Sequence, residues 1–193
     1  MDDRSRDPKS IQDALSSVTA IGQIRVMSDP QRALAFLRKD PPFTEARTPD
    51  VIVLAVNPPG NSGRVTLEQI HQLSLHPPVI ILAEPENGPA SLYLNAGASD
   101  YVVNDHLAKL GQAVETAARS HALLRRLTPR QIEILRLVAQ GLGTRAIAAR
   151  LEISHKTVET HRADLMQRLG AKTVPELVHF AIRTKVVEID GPQ

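Results

Sequence analysis

Between residues 50 and 118 the apolar positions fall into short unbroken runs separated by stretches of helical period. Val51-Ile52-Val53-Leu54-Ala55-Val56 and Val79-Ile80-Ile81-Leu82-Ala83 are continuous apolar runs of strand length, the pattern of parallel strands buried on both faces. Tyr101-Val102-Val103 predicts a third strand. A Pro/Gly loop from Asn57 to Gly63 precedes a helix carrying Leu67, Ile70 and Leu73. Ala90 to Ala96 reads as a short helix ended by Gly97, and a long helix starts at about His106. Repeated strand-helix units predict an α/β unit with a parallel sheet covered by helices on both faces.

From Leu127 to Val187 the period is helical throughout. Thr128 is a good N-cap, Pro129 suits the first helical position, and Gln131 stands where a capping box needs it. Ile134, Leu135 and Val138 mark the inner side of that helix, and Gly141 ends it. A second helix starts at Thr144 and runs through Ile147 and Ala148 to Leu151. After the turn Glu152-Ile153-Ser154, a third carries Val158, Leu165 and Leu169 inward. Thr173 caps a fourth, opened by Pro175 and lined by Leu177, Val178, Ala181 and Ile182. The fold class expected is therefore α/β followed by an all-α unit of four helices with a helix-turn-helix at its centre, a shape suited to placing one helix in a DNA groove.

Charge sharpens this division. Residues 1–118 carry 10 Lys and Arg against 14 Asp and Glu, while residues 119–193 carry 13 against 7, so a net +2 hides an acidic front and a basic back. A basic module supplies the phosphate attraction that DNA binding needs. The 193 residues, 42% of them hydrophobic, suffice for two modest cores, which with only three Phe, two Tyr and no Trp must be built from aliphatic side chains. The absence of Cys excludes disulfides, thiol redox sensing and thiolate zinc sites. No run of 18 apolar residues occurs and the start MDDRSRDPKS is polar, so a soluble cytoplasmic protein without membrane contact is expected.

The text from Leu127 onward resembles the LuxR/NarL-type DNA-binding domain over its whole length. The matching elements are Leu127-Thr128-Pro129-Arg130, Gly141-Leu142, Ile147-Ala148, Leu151, Ile153-Ser154, Lys156-Thr157-Val158, Thr160-His161 and Leu169-Gly170. Gly143 and Ala146 depart from it, standing where the family often has a small polar residue and a glutamate. The resemblance implies that the third helix, Ser154 to Leu169, is the recognition helix and that Val158 to Arg162 approach bases. With Val158, Leu165 and Leu169 inward, Lys156, Glu159, Thr160, Ala163 and Gln167 lie toward the opposite side. Glu159, Thr160 and Arg162 are the base-reading candidates, a glutamate accepting from a cytosine amino group and an arginine donating to guanine. Arg145, Lys156, Thr157 and Lys172 are phosphate candidates, and His161 has two open readings, phosphate contact or packing under the helix.

The front half resembles a response-regulator receiver domain. Pro49-Asp50 before the first run, Pro59-Gly60 with Gly63, Pro78 before the second, and Ala96-Gly97-Ala98-Ser99-Asp100-Tyr101 all fit. The family's reactive residues do not. The resemblance puts Ala55 at the phosphate-accepting aspartate, Ala83 at the hydroxyl residue and Asn104 at the lysine. Alanine can be neither nucleophile nor magnesium ligand, and alanine with asparagine cannot replace the hydroxyl and ammonium that hold a phosphoryl group. The expectation is a pseudo-receiver with no cofactor, no metal site and no enzymatic activity.

At the N-terminus two registers stay open. In one, Ile21 to Met27 is the receiver's second strand, Asp29-Pro30 starts its second helix, and Asp2-Asp3 fall where receivers keep their acidic pair. In the other, Ile24 to Met27 is the first strand, Asp29 is a lone acidic residue, and a strand-helix unit is deleted. Either way the sheet is incomplete or completed unusually. The connection from Pro41 to Thr48 is expected to be an exposed loop, with Phe43 packing locally or meeting a partner.

Leu107, Leu110, Val114, Ala117, His121 and Leu124 form a short heptad stripe in a stretch free of Pro. It predicts one continuous helix over 106–126 between a receiver-like domain, 1–118, and the DNA-binding domain, 127–187. This stripe covers its own sheet in its first half, and a paired helix across a homodimer is the hypothesis for the rest. His121 is more simply a tolerated seam residue than a pH switch. The resemblance also makes the fourth helix a dimer contact, with Val174, Leu177, Val178 and Ala181 as candidates for that or for the local core. The function expected is a transcription regulator that binds double-stranded DNA as a dimer on an inverted repeat, independently of aspartate phosphorylation. The competing expectation is an interaction module whose pseudo-receiver docks a regulatory protein partner, DNA binding being secondary.

Overall fold

The computed structural model describes residues 8–16, 22–56, 62–73, 77–85 and 88–187, and the chain divides into two compact units, residues 1–118 and 119–193. In the first unit, β1 (Ile52–Val56), β2 (Val79–Ala83) and β3 (Asp100–Val103) form a parallel sheet in the order β1-β2-β3. Ala55 pairs with Leu82, Val56 with Ala83, and Ala83 with Val103, so the carboxyl ends of the strands line up. Every residue of β2 is buried, because both faces of the central strand are covered.

Alternation along the strands sorts the core into two layers. Val79, Ile81 and Ala83 face the side of Val56, Leu67, Ile70 and Tyr93, and with them of Leu34. That layer is closed by α2 (Pro30–Arg38), α3 (Ser62–His71) and α4 (Ala90–Asn95). Ile80, Leu82 and Val102 face the other side, where α1 (Pro8–Ser16) contributes Leu15 and α5 (Leu107–Leu124) contributes Leu110, Ala113, Val114 and Ala117. Beyond α4, Gly97 sits at φ +103° with the His71 ring against it, and His71 Nε2 lies 2.8 Å from the Gly97 carbonyl oxygen. A Cβ there would meet the ring at 2.4 Å, which fixes this turn as glycine.

One expectation for this unit is corrected. Residues 22–27 form no strand: among the described residues they have no regular structure and no ladder partner, Ile24 packing on the α5 side of the sheet and Arg25 lying over the Phe36 ring at 4.9 Å. Residue 21 and Asp2-Asp3 lie outside the described residues. A helix over Pro30–Arg38 follows this segment, as either register allows. Asp29 is that helix's N-cap, its carboxylate accepting from Gln31 N–H at 2.9 Å. Phe43 packs edge-on against Phe36 with ring centroids 5.5 Å apart, the local-packing reading. A 3-10 turn over Asn104–His106 precedes α5, which ends at Leu124, two residues before the expected limit.

The second unit holds α6 (Pro129–Ala139), α7 (Thr144–Leu151), α8 (His155–Leu169) and α9 (Val174–Arg183). Thr128 and Gln131 close a reciprocal capping box, with Gln131 N–H donating to Thr128 Oγ1 at 3.2 Å and Thr128 N–H to Gln131 Oε1 at 3.0 Å. One core gathers Ile134, Leu135, Leu137 and Val138 of α6, Ile147 of α7, Val158 and Leu165 of α8, and Leu177, Phe180 and Ala181 of α9. Phe180, absent from the expected stripe of α9, is 4% exposed and supplies the aromatic bulk of this core. No helix among the described residues is long and apolar enough to cross a membrane.

Candidate nucleic-acid interface

The turn between α7 and α8 is built by three local devices. Glu152 takes the left-handed conformation at φ 54°, letting its own N–H and that of Ile153 return to the last turn of α7. Ser154 then caps α8, its hydroxyl accepting from Thr157 N–H at 3.0 Å and lying 2.7 Å from Thr157 Oγ1. Val158 and Leu165, both 0% exposed, pull one side of α8 into the core. The opposite side, His155, Lys156, Glu159, Thr160, Ala163 and Gln167, is exposed. At the far end Gly170 closes the helix in the left-handed region at φ 66°.

The candidate readers and phosphate contacts separate on this frame. Lys156, Glu159 and Thr160 share the free face. The Thr160 hydroxyl donates to the Lys156 carbonyl at 3.1 Å and keeps its acceptor capacity toward solvent. Glu159 lies 3.5 Å from His155 Nδ1, one turn earlier. Arg145 is exposed on α7, and Lys172 is exposed beyond α8. Thr157 is half-buried with its hydroxyl turned to Ser154, so its side chain serves the cap. His161 is half-buried, and its Nδ1 is shut off from solvent with no hydrogen-bond partner among the described residues, a placement on the packing side of the helix. Arg162 is also turned away from the free face, its Nη1 donating to Thr144 Oγ1 at 3.0 Å.

Sequence reasoning missed Thr144 and Arg130. Arg130 Nη2 donates to the Leu151 carbonyl at the end of α7 at 3.1 Å, while its Nη1 pairs with Glu133 at 2.7 Å. The family match at Leu127 to Arg130 contained the signal, since a charged residue inside a motif of helix-starting residues needs a partner of its own.

The start of α9 carries the surface's clearest electrostatic effect. The Glu176 carboxylate accepts from Lys172 N–H at 2.9 Å and from the Thr173 hydroxyl at 3.1 Å. The Lys172 N–H, then the Thr173 hydroxyl, hold its carboxyl below the ordinary glutamate value. A depressed folded-state value contributes stability above the unfolded-state pKa, lost as pH falls through the folded one. Glu176→Gln is therefore expected to melt below the parent protein near neutral pH, with the gap closing in acid. Melting curves followed by circular dichroism across pH check this.

In the first unit, Ala55 and Ala83 stand at the carboxyl ends of β1 and β2, and Asn104 follows β3. Ala55 is exposed and Ala83 is buried. Asn104 Nδ2 donates to Glu84 Oε1 at 2.9 Å, bridging the chain just past β2. Of the dimer candidates, Leu110, Val114, Ala117, Leu177 and Ala181 are enclosed in intramolecular cores, so they offer no surface to a second copy. Leu124 is half-buried against the second core, Val178 is half-buried, and Val174 is 38% exposed. The side chain of Leu107 lies outside those described.

A capped recognition helix with one free polar face, held by a short preceding helix in a basic unit, defines a helix-turn-helix DNA-binding module. Residues 125–181 match the family model of bacterial regulatory proteins, luxR family. The chain is 29% identical over 170 residues to the oxygen regulatory protein NreC of Staphylococcus carnosus, covering 72% of this chain and 78% of that one. It is 47% identical over 62 residues to NreC of Staphylococcus aureus strain JH9, covering 32% of this chain and 29% of that one. Among solved structures, the response regulator ChrA of a heme-sensing two-component system is similar at 24% identity and a TM-score of 0.43, covering 93% of this chain and 92% of that one. RcsB of Salmonella enterica, bound to the promoter rprA, is similar at 22% identity and a TM-score of 0.45, covering 89% and 91%. Residues 125–181 are thus a luxR-family regulatory domain of the helix-turn-helix type.

Proposed function

We propose that this protein regulates transcription by binding an inverted-repeat DNA site as a homodimer, with no phosphorylation of its receiver-like unit. The free face of α8 carries the reading: Glu159 and Thr160 meet base edges, while Lys156, Arg145 and Lys172 meet phosphates. Phosphorylation independence rests on Ala55, Ala83 and Asn104, whose side chains supply no nucleophile, hydroxyl or ammonium at the strand ends. Asn104 is engaged instead by Glu84 just past β2, its Nδ2 donating to the carboxylate at 2.9 Å. The dimer contact is assigned to the exposed side of α9 at Val174 and Val178, the candidates the cores leave outward or half-open. Input then comes from a protein partner or ligand of the first unit.

The observation that carries this reading is the exposure of Lys156, Glu159 and Thr160 on one side of a helix whose other side is locked into the core. Titration of a selected inverted repeat with the purified full chain tests it. Lys156→Ala is expected to weaken binding to all sequences alike and to reduce the slope of log affinity against log salt by about 1. An unchanged slope sinks the phosphate assignment.

A further inference from the structure

We infer that Arg162 is a positioning residue that locks the recognition helix to the start of α7 through Thr144, and reads no base. The inference rests on the proposal that α8 docks in DNA, and it changes which side chains do the reading. Arg162 follows Val158 by four residues and precedes Leu165 by three, so it lies on the buried side of α8. It is half-buried, whereas Lys156, Glu159, Thr160 and Ala163 are exposed. Its Nη1 donates to Thr144 Oγ1 at 3.0 Å, across 18 residues of chain. Thr144 is the first residue of α7 and itself half-buried. A guanidinium held there can reach a base edge only by abandoning this bond and turning around the helix.

The bond completes a pattern. α7 has only eight residues, and an arginine from a different neighbour holds each end: Arg130 of α6 at the Leu151 carbonyl, Arg162 of α8 at the Thr144 hydroxyl. The two ties differ electrostatically. Arg130 stands at the negative end of the α7 dipole and is neutralised by Glu133, so charge favours it. Arg162 stands at the positive end with no carboxylate paired to it among the described residues, so charge alone does not place it there. The Thr144 hydroxyl and the fit of the planar fork along the inner flank of α8 do. Beside the turn over residues 152–154 and the shared core of Ile147 and Val158, this hydrogen bond joins the two helices directly. It sets the rotation of α8 about its own axis, and therefore the pitch at which Glu159 and Thr160 enter a groove.

A cycle of Thr144→Val, Arg162→Ala and the double variant tests this on the full chain, with affinities measured for a selected site and for each of its single-base variants. Thr144→Val keeps the shape and removes the acceptor, so it tests the tie even where Arg162→Ala folds poorly. Both single variants are expected to lose on the order of tenfold in affinity, by the same factor on every site variant, leaving the base-preference profile unchanged. The double variant is expected to be no weaker than Arg162→Ala alone, and Thr144→Ser to restore parent affinity. The inference is overturned if Arg162→Ala flattens preference at one base pair while Thr144→Val is silent, if both are silent, or if the two losses add. Failure of the parent protein to bind any DNA would instead refute the reading of α8 on which it rests.

Discussion

Replacing Leu165 with alanine is expected to lower the stability of the second unit by about 2–5 kcal/mol and to abolish DNA binding at temperatures where the parent protein is folded. Leu165 is fully buried near the middle of α8, in one core with Ile134, Leu135, Ile147, Val158 and Leu177. Truncation removes apolar area and leaves a cavity lined by three other helices, which cannot collapse without moving α8 itself. Domains of this size are stable by about 5–15 kcal/mol, so the loss is a large share of the total. Gln167, two residues on and exposed, supplies the contrast: Gln167→Ala should stay within about 0.5 kcal/mol. Urea unfolding of both variants measures the difference, and equal midpoints would contradict the packing described here.

Glu159→Ala is expected to do the opposite, leaving stability intact and changing selection. Its side chain is 61% exposed on the free face of α8, with His155 Nδ1 3.5 Å away as its neighbour. A carboxylate among phosphates repels them, so its presence on a DNA-facing surface makes physical sense where it accepts from a base amino group. Removing it should cost about 1–3 kcal/mol of discrimination at one base pair while strengthening binding to unrelated sequence. Competition titrations against single-base variants read both effects. A ratio of specific to non-specific affinity equal to the parent's would remove Glu159 from the readers.

The periodic elements were legible in the sequence because each was supported by more than one signal. Thr128, Pro129 and Gln131 agree on the start of α6, and Ser154 and Gly170 bracket α8. Buried strands were legible for the same reason, their unbroken apolar runs lying between Pro and Gly. What failed to show was everything that depends on a partner distant in sequence. Residues 22–27 have strand-like composition, but a strand exists only through its ladder, and none forms among the described residues. Arg162 looked like a base reader because the resemblance ran the base-approaching segment from Val158 to Arg162, although its spacing from Val158 and Leu165 already turned it inward. Its hydroxyl partner 18 residues away could not be read from the sequence. Asp29 was legible as a helix start in one register and as an acidic site residue in the other. Its carboxylate accepts from Gln31 N–H, which makes it the N-cap of α2 in either register.

Acetyl phosphate tests whether this DNA-binding module works without aspartate phosphorylation. The full chain is incubated with magnesium and isotopically labelled acetyl phosphate, and its affinity for a selected inverted repeat is compared with that of the untreated protein. Ala55, Ala83 and Asn104 predict no base-labile label and the same affinity in both samples. A stoichiometric label on the first unit accompanied by a tenfold change in affinity would contradict the account.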